Sequence, residues 1–296
     1  MPRVTVVIST YNWSSVLPYS IGSALRQTFS DTEVLVIGDG CTDDSEAVVR
    51  GIADPRVRWI NLPQNTGHQS GPNNEGLRQA RGELIAYLGH DDLWLPHHLA
   101  LAVAAMDAGA DLTYALTEMV EPGDALPTFE PSEMERYDPG LWIPPTSVVH
   151  RAECARQTGG WRSFLEVTRD PEADLWERMH AKGCRFHFIR RLTAVKFPAI
   201  WRKDAYKYQR SDEQAAWSAR IENEPDFEAV ELARMLTPLY ADGESARPFR
   251  EMLWDFRNDV AARLRRKLVR LGMIRPAQRE DLFRRRRKFK GLPNQP

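Results

Sequence analysis

The chain has 296 residues, of which 42% are hydrophobic, and a net charge of −1, which is enough apolar material for a large core in one domain or two. It has neither the run of about 20 apolar residues that a membrane span needs nor the charged and then apolar start of a secretion signal. Its three cysteines lie far apart, so a disulfide framework and a thiolate zinc site are not indicated, and a reducing cytoplasm is the expected compartment.

The first 120 residues alternate between short apolar runs, of which residues 4–8 are β-branched, and patterns of helical period. Strands are predicted at residues 4–8, 34–37, 57–60, 84–88 and 112–116, with helices between them. This alternation indicates parallel strands joined by right-handed crossovers. Such sheets bind ligands at the carboxyl ends of their strands. We therefore expect the chemistry in the polar loops at residues 9–12, 38–44 and 89–92.

The second part of the chain is less regular. From about residue 121 to 145 the periodicity stops and proline becomes frequent, which indicates a long loop. Beyond it, a strand at 147–150, a helix from Asp174 to Lys182 and a strand at 186–189 are predicted, and the pattern after Ser211 is mostly helical. The sequence thus predicts three parts, namely an α/β half at 1–120, a second half of the same domain at 121–203, and a helical extension at 204–296.

The extension ends in a strongly basic segment. Residues 263–290 carry a net charge of +11, so the remainder of the chain carries −12. No nucleic-acid-binding motif accompanies this charge, and the body is acidic, so a nucleic-acid partner is not expected. A polybasic segment behind an amphipathic helix is typical of contact with anionic lipid head groups. A solvated tail is the simpler alternative.

Two adjacent carboxylates, Asp91 and Asp92, directly follow the buried strand at 84–88. Carboxylate oxygens are ligands that Mg²⁺ and Mn²⁺ prefer, and a metal there would neutralise charge on a diphosphate leaving group. The alternative is a polar loop in which Asp92 caps the helix that begins near Pro96.

The two other loops add polar groups of a different kind. Asp39 can accept hydrogen bonds from a base or a ribose, whereas a plain strand-to-helix turn accounts better for Asp43 and Asp44. The loop at 9–12 has no glycine, which argues against a dinucleotide fingerprint and a phosphate loop. Tyr11 is either a stacking partner for a base or a partly buried aromatic.

A set of short segments occurs in the order found in family 2 glycosyltransferases. They are Val-Val-Ile-Ser-Thr-Tyr-Asn, Ser23-Ala-Leu-Arg-Gln-Thr, Gly38-Asp-Gly-Cys-Thr-Asp, Asn65-Thr-Gly, Asn73-Asn-Glu-Gly, Ala80-Arg-Gly-Glu and His90-Asp-Asp-Leu-Trp-Leu-Pro. The chain resembles this family densely over residues 3–100 and weakly to about residue 188. The resemblance implies a GT-A fold, which is an α/β, Rossmann-like and mostly parallel sheet flanked by helices. It also implies a nucleotide-sugar donor, a Mg²⁺ or Mn²⁺ ion, and inverting transfer of the sugar to an acceptor hydroxyl.

The resemblance also assigns residues to the donor site. Asp39 matches the acidic residue that contacts the base, Asp91 matches the metal ligand, and His90 lies beside the ribose and the diphosphate. The donor site implied in this way consists of Thr10, Tyr11, Asn12, Asp39, Asn73, His90 and Asp91. The family motif is commonly Asp-x-Asp-Asp, and Gly89 replaces its first carboxylate, while Cys41 stands where serine is usual.

The same resemblance implies a catalytic base shortly before an Asp-Leu-Trp helix. Spacing to Asp174 places Glu172 at that position, and Asp170 is the alternative because the family's Glu-Asp pair is not intact. A cluster that caps the helix is the structural alternative. Asp92 and Trp161 are assigned to the acceptor side, although Trp161 is equally typical of a core aromatic.

Two further groups of side chains have alternative interpretations. His97 and His98, with His90, suggest a zinc cluster, but adjacent histidines point to different sides, so packed or solvated histidines are favoured. The segment with Arg202, Lys203, Tyr206 and Lys207 is either a lid over the donor diphosphate or an exposed cationic helix start.

The sequence therefore predicts a metal-dependent, inverting glycosyltransferase with a nucleoside-diphosphate-sugar donor and a saccharide or lipid-linked acceptor. It is expected in the cytoplasm, with peripheral membrane contact through residues 263–290. One competing class is a non-catalytic sugar-nucleotide-binding relative, which Gly89 and the broken Glu-Asp pair favour. A sugar nucleotidyltransferase ranks third, because the loop after the first strand lacks the glycine and basic residues that a triphosphate requires.

Overall fold

The computed structural model describes residues 1–122, 136–139, 141–240 and 279–292. The predicted strands, together with one further strand, form an eight-stranded sheet with the order β3-β2-β1-β4-β7-β6-β8-β5. Its strands are β1 Val4–Thr10, β2 Thr32–Gly38, β3 Val57–Asn61, β4 Leu84–Gly89, β5 Leu93–Trp94, β6 Leu112–Met119, β7 Val149–Arg151 and β8 Phe186–Lys196.

The sheet is mixed, with two strands running against the rest. The pairs β1–β2, β1–β4, β2–β3 and β6–β8 are parallel. Strand β7 is antiparallel to both β4 and β6, and β5 is antiparallel to β8. The expected α/β fold with a mostly parallel sheet is confirmed, and every strand predicted from a hydrophobic run is present. Only β5 was missed, because two residues are too few to show a period of two.

Helices cover both faces of the sheet. They are α1 Leu17–Leu25, α2 Ser45–Gly51, α3 Ser70–Gln79, α4 His98–Asp107, α5 Ala152–Gln157, α6 Pro171–Ala181, α7 Ala205–Tyr208, α8 Asp212–Asn223, α9 Phe227–Tyr240 and α10 Arg279–Lys290. Helix α6 begins at Pro171, three residues before the predicted start at Asp174. The fixed φ of proline suits the first position of a helix, and Glu172 therefore lies in the first turn of α6.

Alternate residues of the central strands enter two cores, one on each face of the sheet. Val6 and Ile8 of β1 pack with helices α1 and α4, whereas Val7 packs with the aromatic side chains of Trp161 and Trp176. All of these side chains are almost completely buried. Burial on both faces explains why the strands are continuous apolar runs. It also fixes the carboxyl ends of β1, β2 and β4 at one edge.

None of the helices in the described ranges is both long and apolar enough to cross a membrane. Of the basic segment 263–290, the structure describes residues 279–290, which form α10. The amphipathic helix predicted ahead of the basic residues has an apolar stripe from Leu253 to Leu268, and this stripe lies outside the described residues. The division at residues 120 and 203 stays a prediction, although β1–β6 and β7–β8 share one sheet.

Candidate active site

A cavity of about 330 Å³ lies at the carboxyl ends of β1, β2 and β4. The register of the sheet pairs Thr10 with Gly38 and Ser9 with Gly89, so the loops that follow these three strands begin side by side. Thr10, Asp39 and Asp91 all line this cavity. The three strand-end loops, in which the chemistry was expected, therefore lie next to one another in the structure.

Asp39 is held firmly in the cavity wall. Its backbone N–H donates to the carbonyl oxygen of Thr10 at 2.8 Å. Its carboxylate accepts hydrogen bonds from the backbone N–H and hydroxyl of Thr66, at 2.9 and 2.8 Å, and from the N–H of Gly67 at 3.2 Å. Burial raises the pKa of Asp39, and these hydrogen bonds oppose the rise.

Gly40 allows the turn after Asp39 to pack closely on the loop at 64–67. Its φ of +68° lies in the left-handed region, and a Cβ atom there would come within 2.5 Å of the Asn65 backbone nitrogen. Glycine meets both requirements, because it lacks the Cβ atom.

The other side chains predicted for the donor site separate into two groups. Tyr11 lines the cavity, as does Thr10, whose buried hydroxyl has no hydrogen-bond partner among the described residues. Asn12 instead accepts hydrogen bonds from the backbone N–H groups of Thr42 and Asp43, at 2.8 and 3.3 Å. Asn73 is buried in α3. Neither asparagine is among the described residues that line the cavity, and Asn12 shapes the site indirectly by fixing the loop at 38–44.

The two carboxylates after β4 point in different directions. Asp91 lines the cavity, and one of its carboxylate oxygens lies 4.0 Å from Nε2 of His90. Asp92 is fully buried and accepts hydrogen bonds from the Lys196 ammonium and from the Phe197 N–H, both at 3.0 Å. The alternative in which Asp92 caps the next helix does not hold, because the N-cap of α4 is His97, whose side chain makes no capping hydrogen bond. The carboxylate of Asp92 instead ties the end of β8 to the loop after β4.

Lys196 stays charged at this position. Burial alone would lower its pKa, but the carboxylates of Asp92 and Asp91 outweigh that effect and raise the pKa. Its side chain therefore brings a fixed positive charge to the cavity wall.

The residues around Asp91 fit a divalent metal that takes most of its ligands from a substrate. Within the described ranges, no three His, Cys, Asp or Glu side chains converge as a metal cage. However, Nε2 of His90 is buried beside Asp91 without a hydrogen-bond partner in the same ranges. Mg²⁺ is commonly held by one or two carboxylates together with phosphate oxygens and water. At Gly89, an added Cβ atom would lie 2.4 Å from a carboxylate oxygen of Asp92, so Asp92 fills the space beside the glycine.

Glu172 and Asp170 line the same cavity as Asp91. The two oxygens of Glu172 accept hydrogen bonds from the indole N–H of Trp142, at 3.2 Å, and from the Gln69 amide, at 3.3 Å. Burial raises the pKa of Glu172. Asp170 occupies the N-cap position of α6, but its side chain makes no capping hydrogen bond. Its carboxylate forms an ion pair with Arg286 at 2.9 Å.

Trp161, predicted for the acceptor side, lies in a core instead. Its indole N–H donates to the Tyr87 hydroxyl at 2.9 Å, and its ring makes edge contacts with Tyr87 and Trp176. Among the described residues, the cavity lining includes neither Trp161 nor Asp92, whereas it includes the half-exposed Trp142. No pattern around Trp142 indicates this role, because the segment has no regular period.

His97 and His98 lie apart from His90. His98 is buried, bonds the Thr193 hydroxyl at 2.8 Å and stacks on Trp94, and burial lowers its pKa to about 3. His97 bonds the carbonyl oxygen of Leu192 at 3.3 Å. The expectation of packed histidines rather than a zinc cluster agrees with these contacts.

Sequence reasoning missed most of the cations of the site. Besides Lys196, the cavity is lined by Arg286, Arg287 and Lys290 of α10, and also by Tyr206. Arg202 turns away and pairs with Glu213. The basic run of α10 was visible in the sequence, but its return to the strand ends depends on long-range packing, such as that of Phe283 on Phe164.

Comparisons with known proteins agree with this geometry. The sequence profile of glycosyl transferase family 2 matches residues 5–139. The succinoglycan biosynthesis protein ExoO of Rhizobium meliloti is 36% identical over 158 residues, which is 52% of this chain and 45% of that protein. The GalNAc(5)-diNAcBac-PP-undecaprenol β-1,3-glucosyltransferase of Campylobacter jejuni is 34% identical over 114 residues, or 37% of this chain and 36% of the relative. The matches thus span less than half of these relatives.

The fold also matches a solved structure. The mannosyltransferase PcManGT from Pyrobaculum calidifontis, in complex with GDP-Man and Mn²⁺, has a TM-score of 0.56 and 18% identity, and the match covers 86% of this chain and 80% of that protein. At this identity the likeness concerns the fold. The chain thus has a GT-A fold, and residues 5–139, which carry the ordered strand-end loops, match glycosyl transferase family 2.

Proposed function

We propose that the protein is an inverting glycosyltransferase that moves a sugar from a nucleoside-diphosphate sugar to an acceptor hydroxyl. The observation that carries this proposal is that Asp39, Asp91 and Glu172, from three different parts of the chain, line one cavity. Each has the chemistry of a different step, namely nucleoside binding, diphosphate binding and proton removal.

The nucleoside is assigned to the end formed by Thr10, Tyr11 and Asp39. The aromatic ring of Tyr11 offers a stacking surface, and the Thr10 hydroxyl is buried without a partner among the described residues. Because burying such a group without a hydrogen bond costs free energy, a ligand that bonds the hydroxyl stabilises this arrangement. The carboxylate of Asp39 is already oriented by Thr66 and Gly67 and supplies acceptors for a base or a ribose.

Asp91, with His90 beside it, would hold Mg²⁺ or Mn²⁺. When bound, the metal supplies Lewis-acid neutralisation of the charge on the nucleoside diphosphate that leaves. Asp92 does not share this role, because its carboxylate is committed to Lys196 and the Phe197 N–H.

Glu172 is assigned as the general base. Trp142 and Gln69 fix the orientation of its carboxylate, and burial raises the pKa of Glu172, which strengthens it as a proton acceptor. Asp170 remains the alternative base. However, its carboxylate is half exposed and paired with Arg286.

The acceptor is assigned to the side of the cavity that carries Trp142. The ring of Trp142 is exposed, and its indole N–H donates a hydrogen bond to Glu172, the proposed base. A sugar that stacks on this ring would therefore present a hydroxyl to Glu172. The name of the Campylobacter relative describes an undecaprenol-linked acceptor. We extend this to the present chain as a proposal, with a saccharide or lipid-linked acceptor.

A lipid-linked acceptor requires access to a membrane, and one surface beside the cavity suits that contact. Ile200, Trp201, Tyr208 and Phe289 are exposed apolar side chains on elements that touch one another. Exposed cations, including Lys203, Lys207 and Lys288, surround them. Apolar side chains rimmed by basic residues are typical of peripheral binding to anionic bilayers.

We therefore expect the protein to sediment with vesicles of phosphatidylglycerol and phosphatidylcholine, less so at high salt. Trp201→Ser is expected to weaken this binding about tenfold, because it removes a buried aromatic contact with the bilayer. Val230→Ser is the control, since Val230 is an exposed apolar residue on α9, which is not one of the elements that carry this surface. Equal sedimentation of the two variants would contradict the assignment of the surface.

The donor assignment is tested by calorimetric titration of UDP, GDP and dTDP with and without Mn²⁺. We expect one of the three to bind, with an affinity that Mn²⁺ raises at least about tenfold, because Asp91 would hold the ion and the ion would neutralise charge on the phosphates. Adenosine diphosphate serves as a comparison for base selectivity. If no nucleoside diphosphate binds in a metal-dependent manner, the proposed donor site is wrong.

A further inference from the structure

Helix α10 lies across the mouth of the cavity and joins its two sides. On the donor side, the Arg287 guanidinium donates a hydrogen bond to the carbonyl oxygen of Gly67 at 3.0 Å. On the side of the base, Arg286 pairs with Asp170 at 2.9 Å. Near its carboxyl end, the carbonyl oxygen of Phe289 accepts a hydrogen bond from the Asp204 N–H at 2.8 Å. The helix is therefore attached at three points around the cavity.

One face of α10 carries the cations that enter the cavity. Arg286, Arg287 and Lys290 line it, and their spacing of three and four residues places them on one side of a helix. Arg284 and Arg285 lie on the same helix but are exposed. The helix thus has an inward basic face and an outward basic face, and only the inward one meets the proposed donor site.

Burying these inward cations is costly unless anions accompany them. Arg287 is 3% exposed, and burial lowers the pKa of Lys290, although the carboxylates of Asp91 and Glu172 oppose that effect. Four carboxylates and four cations line the cavity, so the formal charges of these side chains cancel. A divalent metal at Asp91 would leave an excess positive charge, which matches the negative charge of a diphosphate.

We propose that α10 is a clamp over the donor and that Arg287 and Lys290 bind its diphosphate. This inference rests on the proposed function and names the groups that would recognise the phosphates. A guanidinium presents paired donors that fit phosphate oxygens, and an ammonium adds a point charge. Both groups would also stabilise the nucleoside diphosphate as it leaves, because negative charge accumulates on it during transfer.

The experiment compares two double variants that remove the same charge from the two faces of α10. Arg287→Gln with Lys290→Gln changes the inward face, and Arg284→Gln with Arg285→Gln, two exposed residues that do not line the cavity, changes the outward face. Each protein is titrated with Mn²⁺ and UDP, GDP or dTDP, and in parallel with uridine, guanosine and thymidine. Thermal unfolding of each variant checks that it is folded.

We expect the inward variant to bind the preferred nucleoside diphosphate about tenfold to a hundredfold more weakly, as the loss of charge-assisted hydrogen bonds predicts. Its affinity for the matching nucleoside is expected to change less than about twofold, and the outward variant is expected to bind like wild type. If the inward double variant does not fold, Lys290→Gln alone carries the test, because Lys290 is only partly buried.

Equal diphosphate affinity in the two variants would overturn the clamp, as would tighter binding by the inward variant, which would mark α10 as an obstruction. Equal losses of affinity for the nucleoside and for the nucleoside diphosphate in the inward variant would also overturn the proposed clamp. These results are distinct from failure of the proposed function, in which wild type itself binds no nucleoside diphosphate and both proposals fall.

Discussion

Glu172→Gln is expected to lower kcat for sugar transfer by about 10²–10⁴-fold, which is the usual contribution of a general base. The substitution keeps the size of the side chain and its contact with Trp142 but removes the ability to take a proton. Donor affinity is expected to stay within about twofold, because the diphosphate site is built from other residues. Initial rates of nucleotide release with acceptor, together with donor titration, measure both quantities.

The pH dependence of the rate gives a second readout for Glu172. A base must be deprotonated, so transfer is fully active above its pKa and is lost as the pH falls through it. Because burial raises the pKa of Glu172, the acidic limb of kcat/KM is expected above the ordinary carboxylate value of about 4.3. This limb is expected to disappear in Glu172→Gln.

Asp170→Asn is the matched control for Glu172→Gln. It removes a carboxylate from the same cavity but leaves the proposed base intact, and it loosens Arg286 at the rim. A larger loss of kcat in Asp170→Asn than in Glu172→Gln would transfer the role of base to Asp170. Metal-dependent nucleotide binding with no turnover in wild type would identify a non-catalytic relative.

Asp91→Asn is expected to abolish the effect of Mn²⁺ on nucleotide binding and to reduce transfer on the order of 10²-fold or more. The reason is that a neutral amide is a much poorer ligand for a hard cation, and metal assistance contributes several kcal/mol to such reactions. Titrations of Mn²⁺ at fixed nucleoside diphosphate, followed by calorimetry and by initial rates, measure both effects.

Asp92→Asn distinguishes a metal ligand from a structural carboxylate. Asp91 faces the cavity, so its replacement is expected to leave the unfolding temperature close to that of wild type. Asp92 is buried against Lys196, and loss of one partner of a buried pair typically costs about 3–5 kcal/mol of unfolding free energy. If Asp91→Asn unfolds early while Asp92→Asn loses only its response to Mn²⁺, the roles of the two carboxylates are reversed.

Much of the fold was predictable because its strands are buried on both faces. Such strands consist of short, continuous apolar runs, and Val4–Thr10 and Leu84–Gly89 could be recognised without any knowledge of their partners. The position of the site followed from the same pattern, since parallel strands bring their carboxyl ends to one edge. This is why Asp39 and Asp91 could be placed together in advance.

The rest depended on contacts between distant parts of the chain. Asp92 follows Asp91 in sequence, and only the packing of Lys196 and Phe197, more than 100 residues away, turns it into the core. Trp161 and Trp142 are both tryptophans in irregular segments, and no local pattern tells which one reaches the cavity. The basic charge of α10 can be seen in the sequence, but the position at which this helix packs on the domain cannot.

The position of Leu292 has a practical consequence for protein engineering. This residue follows α10 and borders the cavity, so a purification tag or fluorescent protein joined shortly after it would begin beside the proposed donor site. Strand β1 enters the sheet at its opposite edge, where Met1 is fully accessible. Fusion partners and surface-immobilisation handles are therefore better placed on the side of Met1 than on the side of Leu292, and binding constants measured with a fusion beyond Leu292 should be compared with those of the cleaved protein.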